Sequence, residues 1–335
     1  MRGFILLAAL TSFTQTSFAL DQAKVLKSLQ SVVMIRGYNT SGGLAYGSGV
    51  VVEANKVITN CHIFRSTSAP WVTRGEDTYE IESVQADRRH DLCLVTAKLP
   101  FTPAPIGSND HVKREQEILS IGHSNGLPNP ITSSGVIKST YSFDGGKVIR
   151  SSAKFTMGAS GSGLFDTEGN LLGINTFKTP GRPAYFYSLP IEWLADLKKL
   201  PVETKFPITG KAFWEDEDED KPFFMQMAIP EINQDWPKLE QIAIKWTTTD
   251  PKDSEAWFEL GLAQEHLNKI EAAKQSYLRS VATDANNTSA LFRLGVIAQS
   301  QGDKNSMSSI NAKIANIDEN LAKEFSEMLG CNIHC

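Results

Sequence analysis

Three residues able to support nucleophilic chemistry follow one another in the first half of the 335-residue chain: His62 in "KVITNCHIF", Asp91 in "RRHDLCLVTAK" and Ser160 in "GASGSGLF". A serine that attacks an unactivated amide needs a base, a group to orient that base, and donors for the developing oxyanion. His62 follows an apolar run, Asp91 opens another, and Ser160 lies among small residues that suit a shaped turn. The plainer reading of that stretch is a tight corner between strands, since Gly and Ser gather wherever the backbone turns sharply. The order His, Asp, Ser separates this set from hydrolases in which Ser comes first or Asp precedes His. The G-x-S-x-G elbow is absent, because Ser162 stands where its second Gly would be. Rival groups are His90, His123 and Ser162. Lys154, six residues before Ser160, is a candidate determinant of specificity or a solvent-facing side chain.

The surrounding pattern is one of short strands. From about residue 30 to 190, runs such as "SVVMIRG", "GSGVVVEANKVIT", "DLCLVTAKL" and "LLGINTFK" are rich in Val, Ile, Thr and aromatics, with Gly, Pro, Asn or Asp between them. Many short strands without intervening helices indicate an antiparallel barrel or sandwich. "PIEWLADLKKL" then switches to helical spacing.

Residues 47–195 resemble a trypsin-like serine protease domain of the HtrA/Deg branch. "GSGVVVEANKVITNCHIF" is similar to that family's glycine-serine-glycine strand followed by T-N-x-H, and "DLCLVTAK" resembles its aspartate-led strand. "IGHSNGLPNPITSSGVI" and "GASGSGLFDTEGNLLGINTFK" are similar to its two remaining motifs. The resemblance implies a double β-barrel and a serine endopeptidase that needs no metal or cofactor. It makes Ser160 the nucleophile, His62 the general base and Asp91 its orienting partner. The N–H groups of Gly158 and Ser160 become the oxyanion hole, and Asn175, Thr176, Phe177 and Lys178 the edge on which a peptide pairs. Ala159, Ser162 and Gly163 depart from the family pattern without removing a member of the triad, and no PDZ-like region follows. An inactive peptide-binding adaptor and a serine esterase on the same scaffold are the alternatives.

The second half is helical. Residues 256–287 and 290–318 align with an offset of 34, pairing Trp257 with Leu291, Leu260 with Leu294, and Gly261 with Gly295. That period resembles the tetratricopeptide repeat. "WPKLEQIAIKW" reads as the second half of a preceding degenerate unit, and two full repeats are expected to pack on each other and on flanking helices. Six acidic residues, Glu215 to Asp220, mark the boundary between the halves. The expected division is a signal peptide at 1–19, a protease domain at 22–200, a linker at 201–235 and a repeat domain at 236–330.

The N-terminus carries a basic residue, an apolar stretch and small residues at 17 and 19, the pattern of a cleaved secretory signal, so the expected location is periplasmic or extracellular. Export makes Cys61, Cys93, Cys331 and Cys335 candidates for two disulfides, with three connectivities open; Cys61 and Cys93 read equally well as two small buried side chains. A net charge of −5 gives no reason to expect nucleic acid, and no later apolar run approaches a membrane span. The expected partners are polypeptide substrates and an unidentified protein bound by the repeats.

Overall fold

A computed structural model describes residues 22–110 and 112–329. The signal-peptide expectation and Cys331 and Cys335 lie outside the described residues. Helix α1 (Gln22–Ser31) leads into a first antiparallel unit of β1 (Val32–Tyr38), β2 (Leu44–Glu53), β3 (Lys56–Asn60), β4 (Trp71–Arg74), β5 (Asp77–Glu80), β6 (Ser83–Asp87) and β7 (Leu92–Thr96). Its core is built from branched and aromatic residues that include Val33, Ile35, Val57, Phe64 and Val95.

The second unit is a closed barrel of β8 (Glu117–Gly122), β9 (Ile131–Phe143), β10 (Gly146–Ser151), β11 (Ser162–Asp166), β12 (Leu171–Lys178) and β13 (Phe186–Pro190), in the order β10-β13-β12-β11-β8-β9. Closure pairs every strand on both sides for at least part of its length. β12 is buried on both faces from Leu171 to Thr176, because it lines this barrel and also meets the end of β3. A short helix, α2 (Leu194–Leu197), and β14 (Val202–Glu203) follow. β14 returns to pair with β6, so the first sheet has eight strands.

Seven helices complete the described chain: α3 (Phe223–Ile232), α4 (Trp236–Thr249), α5 (Ser254–His266), α6 (Ile270–Thr283), α7 (Thr288–Ser300), α8 (Lys304–Ile317) and α9 (Glu319–Met328). α4, α6 and α8 begin at residues 236, 270 and 304, and α5 and α7 at 254 and 288, so the sequence period of 34 is also the period of the helices. The side chains of Asp235, Asp253, Asn287 and Asp303 accept N–H groups at four of these starts. The two aligned glycines permit close packing: a Cβ at Gly261 would come within 2.6 Å of the Tyr277 ring, and one at Gly295 within 2.1 Å of Phe325.

The repeats do not rest only on one another. Phe224, Met227, Leu239, Ile242 and Trp246 share one continuous core with Tyr141, Tyr187 and Leu189 of the barrel. The barrel supplies apolar area that a short repeat array lacks. Residues 201–235, expected as a linker, are also packed down. Ile208, Ala212 and Phe213 are buried, Glu215 pairs with Arg65 at 2.6 Å, and Asp216 pairs with Arg89. Neighbouring arginines hold the first two residues of the acidic run against the first unit, while Glu217 to Asp220 stay exposed, as like charges do. No helix among the described residues is long and apolar enough to cross a membrane.

Candidate active site

His62 lies in a single helical turn, Cys61–Phe64, directly after β3, and Asp91 lies immediately before β7. β3 and β7 are neighbours in register, with Thr59 opposite Cys93 and Asn60 opposite Leu92, so the two candidates meet at one end of the same strand pair. Asp91 is fully buried and sits at φ +57°, a left-handed conformation that Asp tolerates better than most residues. Both its oxygens face His62: Oδ2 lies 2.6 Å from Nδ1, and Oδ1 accepts the His62 backbone N–H at 2.8 Å. The Asp91 carbonyl accepts from Asn60 Nδ2 at 2.9 Å and from the Cys61 N–H at 3.2 Å. A disulfide joins Cys61 to Cys93 across this corner, with Cα atoms 5.0 Å apart. Of the two open readings of these cysteines, the structure has the bridge.

Ser160 enters from the second unit. The turn that carries it fits between β2 and the end of β3: the Ser48 N–H donates to the Ser160 carbonyl at 2.7 Å, and the Gly161 N–H to the Asn175 carbonyl at 2.9 Å. Glycine is demanded on both sides. Gly158 has φ +90°, and a Cβ there would lie 2.6 Å from the His123 carbonyl oxygen. Gly161 has φ +83°, and its Cβ would lie 2.2 Å from the Ser48 carbonyl oxygen. Ser48 Oγ ties the loops together, donating to the Gly158 carbonyl at 2.8 Å and accepting the His123 N–H at 2.9 Å. The N–H groups of Gly158 and Ser160 donate to no acceptor among the described residues. Ser160 Oγ and His62 Nε2 likewise have no hydrogen-bond partner there.

The rival groups are engaged elsewhere. Ser162 is fully buried, and its Oγ accepts from Asn175 Nδ2 at 2.8 Å. His90 lies between Asp87, 2.7 Å from Nδ1, and Asp144, 3.1 Å from Nε2. Burial works against its charged form, yet the two carboxylates prevail and hold its pKa above the usual histidine value. His123 is buried, which lowers its pKa, and its Nδ1 lies 2.8 Å from the Leu127 carbonyl oxygen. Lys154 is exposed.

Of the four residues expected to receive a peptide, Asn175 and Thr176 spend their side chains internally. Asn175 Nδ2 bonds Ser120 and Ser162, and Thr176 Oγ1 accepts from Asn60 at 2.9 Å. Phe177 is half-buried and Lys178 exposed. Beyond Asn175, β12 pairs only with β13 among the described strands, which leaves one backbone edge open over 176–178. Trp214 was not foreseen. Its ring meets His62 edge-on, with centroids 5.7 Å apart, and stacks on Phe177 at 5.7 Å. The one local hint was the apolar "AFW" directly before the acidic run.

A buried acid paired to histidine at the rim of one β unit, with a serine turn from the next unit wedged beside it, is the arrangement of one large fold family. Residues 47–174 match the family model described as the trypsin-like peptidase domain. The first half of this chain has the trypsin-like fold. The magnetosome formation protease MamE of Paramagnetospirillum magneticum is 31% identical over 143 residues, 39% of this chain and 20% of that one. The periplasmic serine endoprotease DegP of Escherichia coli is 28% identical over 146 residues, 40% of this chain and 30% of that one. The Rv3671c protease of M. tuberculosis, in its active form, matches with a TM-score of 0.51 at 21% identity, over 61% of this chain and 99% of that one, a likeness of fold. The match spans between 18% and 32% of the length of such curated relatives.

Proposed function

We propose that the protein is an exported serine endopeptidase that cleaves polypeptides through an acyl-enzyme, with its helical repeats, read as tetratricopeptide-like, recruiting substrate or a partner. The observation that carries this reading is the double hold of buried Asp91 on His62. With Nδ1–H donated to Asp91, the imidazole presents Nε2 as an acceptor toward the Ser160 side of the cleft. In the mechanism, His62 takes the Ser160 proton as Oγ attacks the scissile carbonyl, then returns it to the leaving amine. The unpartnered N–H groups of Gly158 and Ser160 receive the oxyanion, where one such donor is worth roughly 100- to 1,000-fold in rate. The Ser160–His62 hydrogen bond is missing in the free protein, and catalytic hydrogen bonds often tighten only with substrate bound. Export is supported by the signal pattern and by the Cys61–Cys93 bridge, since disulfides persist in oxidising compartments.

Fluorophosphonate labelling of the mature protein tests the reading, with Ser160→Ala and Ser162→Ala in parallel. Labelling should vanish in Ser160→Ala and persist in Ser162→Ala. An unlabelled wild type that also leaves peptides uncut would overturn it.

A further inference from the structure

The open edge of β12 does not end in solvent. It runs on at Pro180 into a groove of about 520 Å³ between the barrel and helices α3 and α4. That volume is in the range of sites that hold ligands. The walls are apolar, with Phe177, Tyr187, Trp214, Met225, Ile229 and Ile242 among them. Two polar groups of this wall, Tyr187 Oη and Trp214 Nε1, are buried without a hydrogen-bond partner among the described residues. The charged residues lining the groove are Lys178, Lys221, Lys238, Lys245, Asp218 and Glu219. Lys221 pairs with Asp218 at 2.7 Å, and the other three lysines form no ion pair among the described residues. The groove is therefore apolar inside and positive at its rim. Trp214 makes it continuous with the catalytic cleft, because the same indole touches His62.

Direction follows from the sheet. The strand ladders of the barrel are all antiparallel. A peptide that continues this pattern on the open edge of β12 enters near Pro180 and reaches Ser160 later, so the residues lying in the groove are N-terminal to the scissile bond. We infer that the groove is a substrate site for that N-terminal stretch, and that it selects an apolar side chain carried among acidic residues. This rests on the peptidase reading above, and the helices that build it give the peptidase half a selectivity it would lack alone.

The test uses fluorogenic peptides with one cleavable core, extended on the N-terminal side either by leucine flanked with glutamates or by leucine flanked with lysines. In the wild type, kcat/KM for the glutamate series should exceed that for the lysine series by about tenfold, the sum of a few exposed charge pairs. The ratio should fall toward one at high salt, and should invert in Lys238→Glu/Lys245→Glu, whose exposed positions on α4 tolerate the change. A wild-type ratio near one, or an unchanged ratio in the double variant, overturns the inference. If neither labelling nor cleavage occurs, the peptidase reading fails, and fluorescence anisotropy of the glutamate peptide on Ser160→Ala protein then judges the groove separately. Binding weakened by the two lysine changes supports it; no binding overturns it.

Discussion

Asp91 and Glu259 are both buried carboxyl groups, 0% and 3% exposed, and the protein treats them in opposite ways. Asp91 lies at the end of a regular strand pair, and each of its oxygens has a partner on one residue, His62. Glu259 lies on α5, where the repeats meet the barrel, and its Oε2 has no partner. Around it, Arg150 of β10 pairs with Glu231 of α3 at 2.7 Å, and Arg114 with Glu255 at 3.3 Å. Two guanidinium groups thus face three carboxyls. Burial, reinforced by Glu231 and Glu255, raises the Glu259 pKa to about 8 against the pull of Arg150 and Arg114. A buried acid can serve chemistry when local chain geometry satisfies it on every side. One left over where two units meet responds to pH instead.

The same isosteric change, acid to amide, should separate the two sites most sharply. In Asp91→Asn the new Nδ2, standing where Oδ2 was, would set a donor against Nδ1–H, while Oδ1 keeps the His62 N–H. The ring must change tautomer, Nε2 then carries the proton, and it cannot take another from Ser160. The expected loss in kcat on a peptide substrate is about 10⁴-fold, with little change in KM. A variant retaining more than a tenth of wild-type kcat would show that Asp91 is merely structural. Next in size is the bridge. Cys61 and Cys93 are 32 residues apart, a loop whose closure contributes roughly 3–4 kcal/mol by restricting the unfolded chain. Cys61→Ala/Cys93→Ala should lower the denaturant midpoint accordingly. Because four hydrogen bonds also define the corner, the surviving folded protein should still label at Ser160. Lost labelling in folded protein would make the bridge, rather than those hydrogen bonds, the organiser of the site.

Why one site was readable in the sequence and the other was not follows from locality. His62, Asp91 and Ser160 each sit in a motif of ten residues or so, and strand register does the rest. The 34-residue period was equally visible, including α4 as half of an earlier unit, because helix caps and small residues recur with it. The Cys61–Cys93 pairing could not be chosen from spacing, since only the register of β3 against β7 brings the two together. Trp214 was hidden for another reason. Six acids beside it signal a solvated linker, and the partners that hold the segment down, Arg65 and Arg89, come from turns far away in the chain. Arg150, Glu231 and Glu259 carry no motif at all, since contacts between separately folding patterns leave no local trace.

The smallest effect is the one that tests the leftover acid. The Glu259 pKa is raised above the ordinary value of 4.5 to about 8 in the folded protein. Between those values the folded state holds a proton that the unfolded state has released, so stability falls as pH rises from about 4.5 to about 8 and levels off above that. Glu259→Gln keeps the shape of the protonated acid and cannot ionise. Near pH 4.5 it should match the wild type, and by pH 8 it should be the more stable of the two. The effective dielectric around even buried charges moderates such shifts, which puts the gain on the order of 1–2 kcal/mol. Urea unfolding of both proteins at pH 5, 6.5 and 8 reads the difference directly. A gap that stays flat across the three values would mean that Glu259 is ionised throughout this range, and that Arg150 and Arg114 suffice for all three carboxyls after all.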